Sequence, residues 1–208
     1  MPSAFPNFEF ETQALARGAL WVCGVDEVGR GPLAGPVTAA AVRLDPENIP
    51  VGLNDSKRLT AARRTVLAQK IHARAEVSIA HASVEEIDRI NILRASHLAM
   101  QRAIDGLAHR PDHVLIDGNA IPQSLTLSAQ ALVKGDARSQ SISAASIVAK
   151  TCRDALMVGL AQQHPGYGWE TNAGYGTAAH LYALRHLGVT PHHRRSFAPV
   201  HNILYQEK

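Results

Sequence analysis

The chain has 208 residues, of which 46% are hydrophobic and 19% are charged, and a chain of this length can bury an ordinary core. No apolar run is long enough to cross a bilayer and the first residues lack the layout of a secretion signal, so we expect a cytoplasmic protein without a membrane partner. The net charge of +3 permits a polyanionic partner without requiring one.

The chain is predicted to form one domain, with an ordered core at about residues 20–165 and a C-terminal region of helices and loops at about 166–208. Residues 1–18 carry early prolines and no sustained periodicity, which predicts a loosely attached lead-in with one helical turn at 10–15. The first apolar run, Leu20–Cys23, predicts a short buried strand. Glycines and prolines are then expected to prevent any regular element before residue 37.

The segment after this first strand combines acids with glycines. Asp26 and Glu27 are adjacent carboxylates, and Gly29 and Gly31 allow the backbone to approach a ligand that a Cβ would keep away. Carboxylate oxygens are preferred by hard divalent cations, so the segment favours a site for metal and phosphate. Two alternatives stay open here. One is a dinucleotide-binding turn, which requires a helix where Pro32 and then a strand follow, and the other is a structural hairpin with solvated acids.

Apolar periodicity predicts alternating strands and helices along the rest of the chain. Ser83 and Glu86 have the spacing of a capping box, which marks the start of one helix. The alternation predicts an α/β fold around a mixed sheet. The predicted strands are 37–42, 77–82, 113–116 and 131–133, and the predicted helices are 59–75, a segment from Ser83, 92–107, 141–164 and 178–187.

Two of these later strands also end in an acid beside a glycine. Asp117 follows the strand at 113–116, and Asp136 follows the strand at 131–133. Each acid alone is common turn material, but ligands of open α/β sheets bind at the carboxyl ends of strands. The recurrence therefore favours a shared site over isolated turns.

The strand-end acids together predict one kind of chemistry. An all-oxygen ligand set, without the cysteine or histidine spacing of a zinc site, selects Mg²⁺ or Mn²⁺. Two such ions would activate a water and stabilise the leaving oxygen in an in-line phosphodiester hydrolysis. Since neighbouring side chains of a strand point to opposite faces, the strand must end or twist at Glu27. The candidate catalytic and metal-binding residues are Asp26, Glu27, Asp117 and Asp136.

A glycine-punctuated loop at 165–177 carries three aromatic residues. Tyr167 and Trp169 are predicted to anchor this loop in the core. Tyr175 lies between two glycines, which favours an exposed ring that stacks on a sugar or base.

Basic residues gather in three places along the chain. Each cluster alone is interpreted as a solvated face, but their recurrence beside glycine-rich loops favours nucleic acid over a small acidic metabolite. Asp154 has two interpretations, a surface pair with Lys150 four residues away or, together with Arg153, a position that faces the site. The clusters are Lys57-Arg58 with Arg63-Arg64, Lys134 with Arg138, and 192–195.

In these features the chain resembles the bacterial type 2 ribonucleases H, the ribonuclease HII family. The matching segments follow the family order between about residues 20 and 200, and together they are highly specific. The resemblance implies an α/β, ribonuclease H-like fold, with a mixed central sheet flanked by helices and a helical C-terminal region. The segments are Gly24–Pro36, Asp55–Lys57, Ile116–Gly118, Lys134–Asp136, Ile142–Ile147 with Ala149–Lys150, Gly174–Thr177 and His193–Phe197.

The same resemblance implies an activity. It implies a metal-dependent endoribonuclease that hydrolyses the RNA strand of RNA–DNA hybrids and nicks 5′ of single ribonucleotides embedded in duplex DNA. The products would carry 3′-hydroxyl and 5′-phosphate ends, and the role would be ribonucleotide removal from DNA. Two Mn²⁺ or Mg²⁺ ions would act during catalysis.

Carried over by position, the four acids match the catalytic, metal-binding acids of the family. Gly29-Arg30-Gly31 matches the turn that reads the ribose 2′-hydroxyl through its backbone, and Tyr175 matches the tyrosine that packs on the adjoining deoxyribose. Many relatives carry lysine or histidine where this chain has Thr171-Asn172-Ala173, so a milder salt dependence is expected. The further substrate-binding candidates are Lys57, Lys134, Arg138, Ser56, Asp154 and Arg194.

Two functions from other classes compete with this one. A non-catalytic hybrid-binding module would keep the basic loops and Tyr175, but it would have no use for four acids that repel phosphate unless metal neutralises them. A nucleotide-dependent oxidoreductase would need a helix after Gly31, which the sequence does not predict. No apolar surface stripe requires a partner chain, so we expect a monomer.

Overall fold

The computed structural model describes residues 5–205, so residues 1–4 of the predicted lead-in and 206–208 of the predicted C-terminal region lie outside the described residues. The strands of the described range are β1 (Val22–Val28), β2 (Val37–Leu44), β3 (Ala75–Ala82), β4 (His113–Asp117) and β5 (Ser128–Leu132). They form one mixed sheet in the order β3-β2-β1-β4-β5. β2 is antiparallel to β1 and β3, whereas β1, β4 and β5 are parallel. The carboxyl ends of β1, β4 and β5 therefore meet at one edge.

Helices surround this sheet and confirm the predicted α/β class. Those of the described range are α1 (Glu9–Ala16), α2 (Ala61–Arg74), α3 (Val84–Asp105), α4 (Gln140–Gln163), α5 (Trp169–Asn172), α6 (Ala178–Leu187) and α7 (Ala198–Tyr205). The sequence does not predict α5 and α7, because each is too short to show a clear helical period. None of the helices within residues 5–205 combines the length and the apolar character that a membrane span requires.

The helices cover both faces of the sheet. α3 packs on one face, where Cys23, Val25 and Ile116 belong to one apolar cluster. α4 packs on the other face, where Ala40 and Val42 join a second cluster. Because both faces are covered, the central strands are almost continuously apolar, and the acids at their ends interrupt that pattern.

The first strand is longer than the sequence predicts. β1 continues past its glycine and through both acids to Val28, which pairs with Thr38 of β2. Gly24 belongs inside the strand because α4 begins so close to it that a Cβ there would overlap the backbone of Ser141. The glycine marks a close strand–helix contact. Of the two expectations for Glu27, an end or a twist of the strand, the end is wrong, because β1 continues to Val28.

The helix α3 joins two helices that the sequence predicts separately. The capping box of Ser83 and Glu86 is present with both of its reciprocal hydrogen bonds, as predicted. α3 then kinks at Asn91, whose φ is 67°. The Asn91 side chain accepts hydrogen bonds from the N–H groups of Leu93 at 3.0 Å and Arg94 at 3.1 Å, so the second half of the helix has its own cap.

The N-terminal lead-in is docked rather than loose. The Asn7 N–H donates to the Arg138 carbonyl at 3.1 Å, and the Asn7 carbonyl accepts from the Gln140 N–H at 3.0 Å. α1 then buries Glu11 completely. The prediction of a loosely attached lead-in is wrong for the described part of this segment, because its contacts are with distant residues that leave no local periodicity.

Candidate active site at the carboxyl ends of the central strands

Four acidic residues lie at the edge of the sheet where β1, β4 and β5 end. Asp26 and Glu27 lie near the end of β1, Asp117 is the last residue of β4, and Asp136 lies in a 3-10 turn after β5. The parallel register of β1 and β4 puts Asp26 next to Asp117. The fold therefore brings together acids that are up to about a hundred residues apart in the chain, as expected for parallel strands whose carboxyl ends share an edge.

Hydrogen bonds fix Asp117 and the turn of Asp136 relative to each other. Asp117 Oδ1 accepts the N–H of Gly135 at 2.6 Å and the N–H of Asp136 at 3.4 Å. Lys134 precedes them in the left-handed conformation, with a φ of 56°, and reverses the chain after β5. The end of β4 and this turn are thus joined through one carboxylate.

One of a pair of buried serines lies next to Asp26. Because side chains alternate along β1, Asp26 faces α4 and Glu27 faces the other side of the sheet. Ser146 of α4 lies next to the Asp26 carboxylate and acts to lower its pKa, against the larger effect of burial. The hydroxyl of Ser56 lies 2.8 Å from that of Ser146, and both serines are buried. Ser56 therefore contacts the serine that lies next to Asp26.

Burial and the neighbouring charges raise the pKa values of Asp26, Glu27 and Asp136. Asp26 is 6% exposed, and burial together with Glu27 and Asp117 raises its pKa well above the ordinary value. Burial also raises the pKa of Glu27, although the Arg30 guanidinium 3.3 Å away opposes this shift. Burial and Asp117 raise the pKa of Asp136. The acids thus repel one another when all of them are ionised.

The donor set fits hard divalent cations in its chemistry. Its ligand atoms are carboxylate oxygens, and Glu27 Oε2 is buried without a hydrogen-bond partner among the described residues. A dication would relieve the repulsion between these carboxylates. Within residues 5–205, however, no three acidic, histidine or cysteine side chains converge into a ready ligand shell. Asp26 and Glu27 direct their side chains to opposite faces of β1.

Arg194 holds the turn that follows β1. Its guanidinium is fully buried and donates hydrogen bonds to the carbonyl oxygens of Gly29 at 2.6 Å, Arg30 at 2.9 Å and Gly35 at 2.9 Å. In a trans peptide the N–H points away from the C=O, so the N–H groups of Arg30 and Gly31 point away from Arg194. Burial, with Arg153 as a second cause, lowers the pKa of Arg194 to about 9.

Arg153 of α4 connects the same turn to the aromatic loop. It donates to the carbonyl oxygens of Ala34 at 3.1 Å, Pro36 at 3.0 Å and Ala173 at 2.9 Å. Gly29 has a φ of 93°, and a Cβ there would collide with the Arg153 guanidinium. Burial lowers the pKa of Arg153 to about 10. This arginine therefore sets the spacing between the turn and the loop.

The aromatic loop presents Tyr175 beside this turn. Tyr175 is 46% exposed, and a Cβ added to Gly31 would lie 3.3 Å from its ring. His180 Nδ1 donates to the Tyr175 carbonyl at 2.9 Å and holds the backbone at that point. Tyr167 and Trp169 are buried, which confirms the prediction that they anchor the loop.

Lys57 lies beside Asp136, one of the four acids. Its side chain is 82% exposed, and its Nζ lies 4.0 Å from Asp136 Oδ2. Burial alone would lower the pKa of Lys57, but the charges of Asp136 and Asp55, with those of the other acids, raise it overall. Lys57 therefore stays a cation beside the cluster.

The remaining candidates lie outside the cluster of acids. Lys134 and Arg138 are exposed on the turn after β5. Asp154 pairs with Lys150 at 2.7 Å and with Arg64 at 3.6 Å, which agrees with the surface-pair interpretation.

Two arginines of this site were hard to place from sequence patterns. The segment 192–195 is predicted as a solvated basic face, but His193 and Arg194 are fully buried because the segment folds back onto the turn after β1. Arg153 lies in α4, whose apolar residues predict burial on several sides of the helix. A charged residue among them was the sequence feature that could have indicated a buried arginine. A buried guanidinium needs acceptors, and the carbonyl groups of a glycine-rich turn supply them.

Comparison with known proteins identifies the family. The family model for Ribonuclease HII matches residues 23–200. The ribonuclease HII of Cereibacter sphaeroides is 70% identical over 202 residues, which cover 97% of this chain and 95% of that protein. The ribonuclease HII of Ruegeria pomeroyi is 67% identical over 97% of this chain and 86% of that protein.

A solved structure supports the same assignment. The ribonuclease H2 of Pyrococcus horikoshii OT3 has a TM-score of 0.75 at 26% identity, with 90% of this chain and 98% of that chain covered. Its likeness confirms the predicted ribonuclease H-like fold. The chain therefore belongs to the ribonuclease HII family and is a metal-dependent endonuclease that hydrolyses the RNA of RNA–DNA hybrids.

Proposed function

We propose that the chain also nicks duplex DNA on the 5′ side of single embedded ribonucleotides and leaves 3′-hydroxyl and 5′-phosphate ends. The main support is that Asp26, Glu27, Asp117 and Asp136 meet at one edge of the sheet, beside a turn with outward-pointing backbone donors. The acids would provide the place of cleavage. The turn would provide recognition of the ribose.

The four acids are proposed to hold two Mg²⁺ or Mn²⁺ ions. When bound, such ions activate a water and stabilise the oxygen that leaves the phosphorus. The chain contributes the placement of the ligands, because the Gly135 N–H holds Asp117. Asp136 is tied to Asp117 through the same turn, so these ligands are positioned as a unit.

The backbone N–H groups of Arg30 and Gly31 are proposed to bind the ribose 2′-hydroxyl. Arg194 fixes the carbonyl groups on the inner side of the turn, so these donors keep one orientation. The 2′-hydroxyl is the group by which a protein distinguishes RNA from DNA at a given position. Tyr175, with its ring beside Gly31, is proposed to pack on the sugar of the next deoxynucleotide.

Exposed cations around the acids are proposed to contact the phosphate backbone. Lys57, Lys134 and Arg138 lie on loops that border the cluster, and contacts of this kind position the duplex without reading its sequence. The C-terminal region from about residue 166 carries Tyr175 and Arg194. We therefore propose that it contributes to substrate binding within the same catalytic domain.

A labelled DNA duplex with one ribonucleotide tests this function. With Mg²⁺ or Mn²⁺ the chain should produce one nick 5′ of the ribonucleotide, and a chelator should abolish it. The control is an all-DNA duplex of the same sequence, which should stay intact. Cleavage of that control at a similar rate would contradict recognition of the 2′-hydroxyl. Binding without metal-dependent nicking would contradict the proposed activity on single embedded ribonucleotides.

A further inference from the structure

We infer that Glu11 of α1 is a positioning residue for the turn that carries Asp136, and that the N-terminal segment at residues 7–11 is part of the framework of the active site. The inference rests on the proposed function, because it takes Asp136 as one of the catalytic acids. This segment lies before residues 23–200, the part of the chain that the family model matches.

Glu11 is a fully buried carboxylate that caps a distant helix. Its Oε1 accepts the hydroxyl of Ser139 at 2.6 Å and the N–H of Ser141 at 2.8 Å. Ser139 is the N-cap residue of α4, and its own Oγ accepts the Ile142 N–H at 3.2 Å. An acidic side chain is rarely buried completely. Here the N–H groups at the start of α4 and the positive end of its helix dipole stabilise the buried negative charge.

The capped turn is continuous with the turn of Asp136. The Ser139 N–H donates to the Gly135 carbonyl at 2.8 Å, so this bond closes a ring of backbone that contains Asp136. The Gly135 N–H in turn donates to Asp117 Oδ1 at 2.6 Å. A path of hydrogen bonds therefore leads from Glu11 through Ser139 and Gly135 to two of the four acids.

The backbone of Asn7 makes a second contact with the same segment. Its N–H and carbonyl bond to Arg138 at 3.1 Å and to Gln140 at 3.0 Å, the residues on either side of Ser139. The Arg138 guanidinium also lies 4.9 Å from the centre of the Phe10 ring. The first residues of α4 are thus held by hydrogen bonds to the N-terminal segment as well as by the hydrogen bonds within α4.

Removal of the Glu11 carboxylate would leave buried donors of Ser139 and Ser141 without their acceptor. The turn would then move until these donors find other partners. Catalysis is sensitive to such movement, since a displacement of about 1 Å can lower a rate about a hundredfold. Substrate binding by Gly31 and Tyr175 depends on other contacts, so the expected loss is in kcat rather than in KM.

The test compares Glu11→Ala, Glu11→Gln and Asp112→Ala in the full chain. Asp112 is the control, because its carboxylate also accepts two hydrogen bonds, from the N–H groups of Leu20 at 2.8 Å and Trp21 at 3.0 Å, but at the opposite end of β1. The measurements are kcat and KM on the duplex with one ribonucleotide, Tm, and amide hydrogen exchange at residues 135–141.

Glu11→Ala should lower kcat about ten- to a hundredfold with KM changed by less than about threefold, and it should accelerate exchange at 135–141. Glu11→Gln keeps an acceptor oxygen and should recover most of kcat. Asp112→Ala should keep kcat near the wild-type value. The inference is overturned if Glu11→Ala keeps the kcat of Asp112→Ala, or if exchange accelerates only within α1.

One further variant and the exchange measurement keep the outcomes distinct. If Glu11→Ala does not fold, Ser139→Ala removes the other partner of the same hydrogen bond, and a wild-type kcat in that variant would overturn the inference. If the wild-type chain does not nick the duplex, the proposed function fails. The exchange at 135–141 then decides alone whether Glu11 fixes the turn.

Discussion

The backbone N–H of Gly135 lies 2.6 Å from Oδ1 of Asp117, and this hydrogen bond joins the end of β4 to the turn that carries Asp136. The position of one acid therefore depends on the backbone that positions another. Residues that act as a unit have non-additive effects on the rate. We therefore expect the double substitution of Asp117 and Asp136 to lower kcat by less than the product of the two single effects.

Asp136→Asn should abolish turnover and preserve the fold and substrate binding. The asparagine keeps the size of the side chain but loses the charge that attracts a cation, so kcat should fall by at least about a hundredfold. Single-turnover cleavage and binding to a labelled duplex measure the two effects separately. Asp105→Asn, at an exposed position near the end of α3, is the control and should be active. Full activity of Asp136→Asn would remove this residue from the site.

Asp26→Asn should stabilise the metal-free protein at neutral pH. Burial and the neighbouring carboxylates raise the pKa of Asp26, so the folded state binds its proton more tightly than the unfolded state. The stability of the wild type therefore falls as the pH rises above the ordinary carboxyl pKa of about 4. The Tm difference between variant and wild type should be near zero at about pH 4 and positive at about pH 7.5.

Thermal unfolding in chelator over a pH series measures this difference. Glu86→Gln is a control of opposite sign, because the hydrogen bonds of Arg102 and of the Ser83 N–H lower the pKa of Glu86 to about 2. That variant should have a lower Tm than the wild type at neutral pH. The difference in Tm should become smaller as the pH falls. A Tm difference for Asp26→Asn that is constant with pH would show that the ionised Asp26 carboxylate does not destabilise the folded protein.

Arg194→Lys should lower the efficiency of cleavage at an embedded ribonucleotide. One ammonium cannot span three carbonyl groups that a planar guanidinium reaches together, and each buried hydrogen bond lost costs about 1–3 kcal/mol. We expect kcat/KM on the duplex with one ribonucleotide to fall by at least about tenfold, the equivalent of about 1.4 kcal/mol. Arg195→Lys, at the exposed neighbouring position, is the matched control. An unchanged kcat/KM in Arg194→Lys would show that the turn keeps its shape without the clamp.

Thr171→Lys should steepen the salt dependence of substrate binding. Thr171 is exposed on the loop of Tyr175, whereas Asn172 is engaged in the loop through bonds of 2.8 Å to the Tyr167 carbonyl and from the Gly174 N–H. One additional phosphate contact should change the slope of log K against log salt by about −0.9. Thr171→Gln adds length without charge and should leave the slope unchanged. An equal slope in Thr171→Lys would show that this loop does not reach a phosphate.

Local patterns account for most of the elements and for the placement of the acids. The spacing of Ser83 and Glu86 predicted a capping box that forms, and apolar runs predicted the strands at whose carboxyl ends Asp117 and Asp136 lie. These features are predictable because a strand or helix imposes its own period on the residues that face the core. The length of β1 was not predictable in this way, since Gly24 is required by a contact with α4.

The sequence by itself determined the α/β alternation and the strand-end acids, and its motifs determined the family resemblance, since all of these depend on residues that are neighbours in the chain. Only the tertiary structure decided that Arg194 lies inside the turn at 29–35 and that Glu11 caps a helix 130 residues away. The reason is that a buried guanidinium or carboxylate is compensated by backbone groups of distant segments, and backbone groups are the same for every residue type.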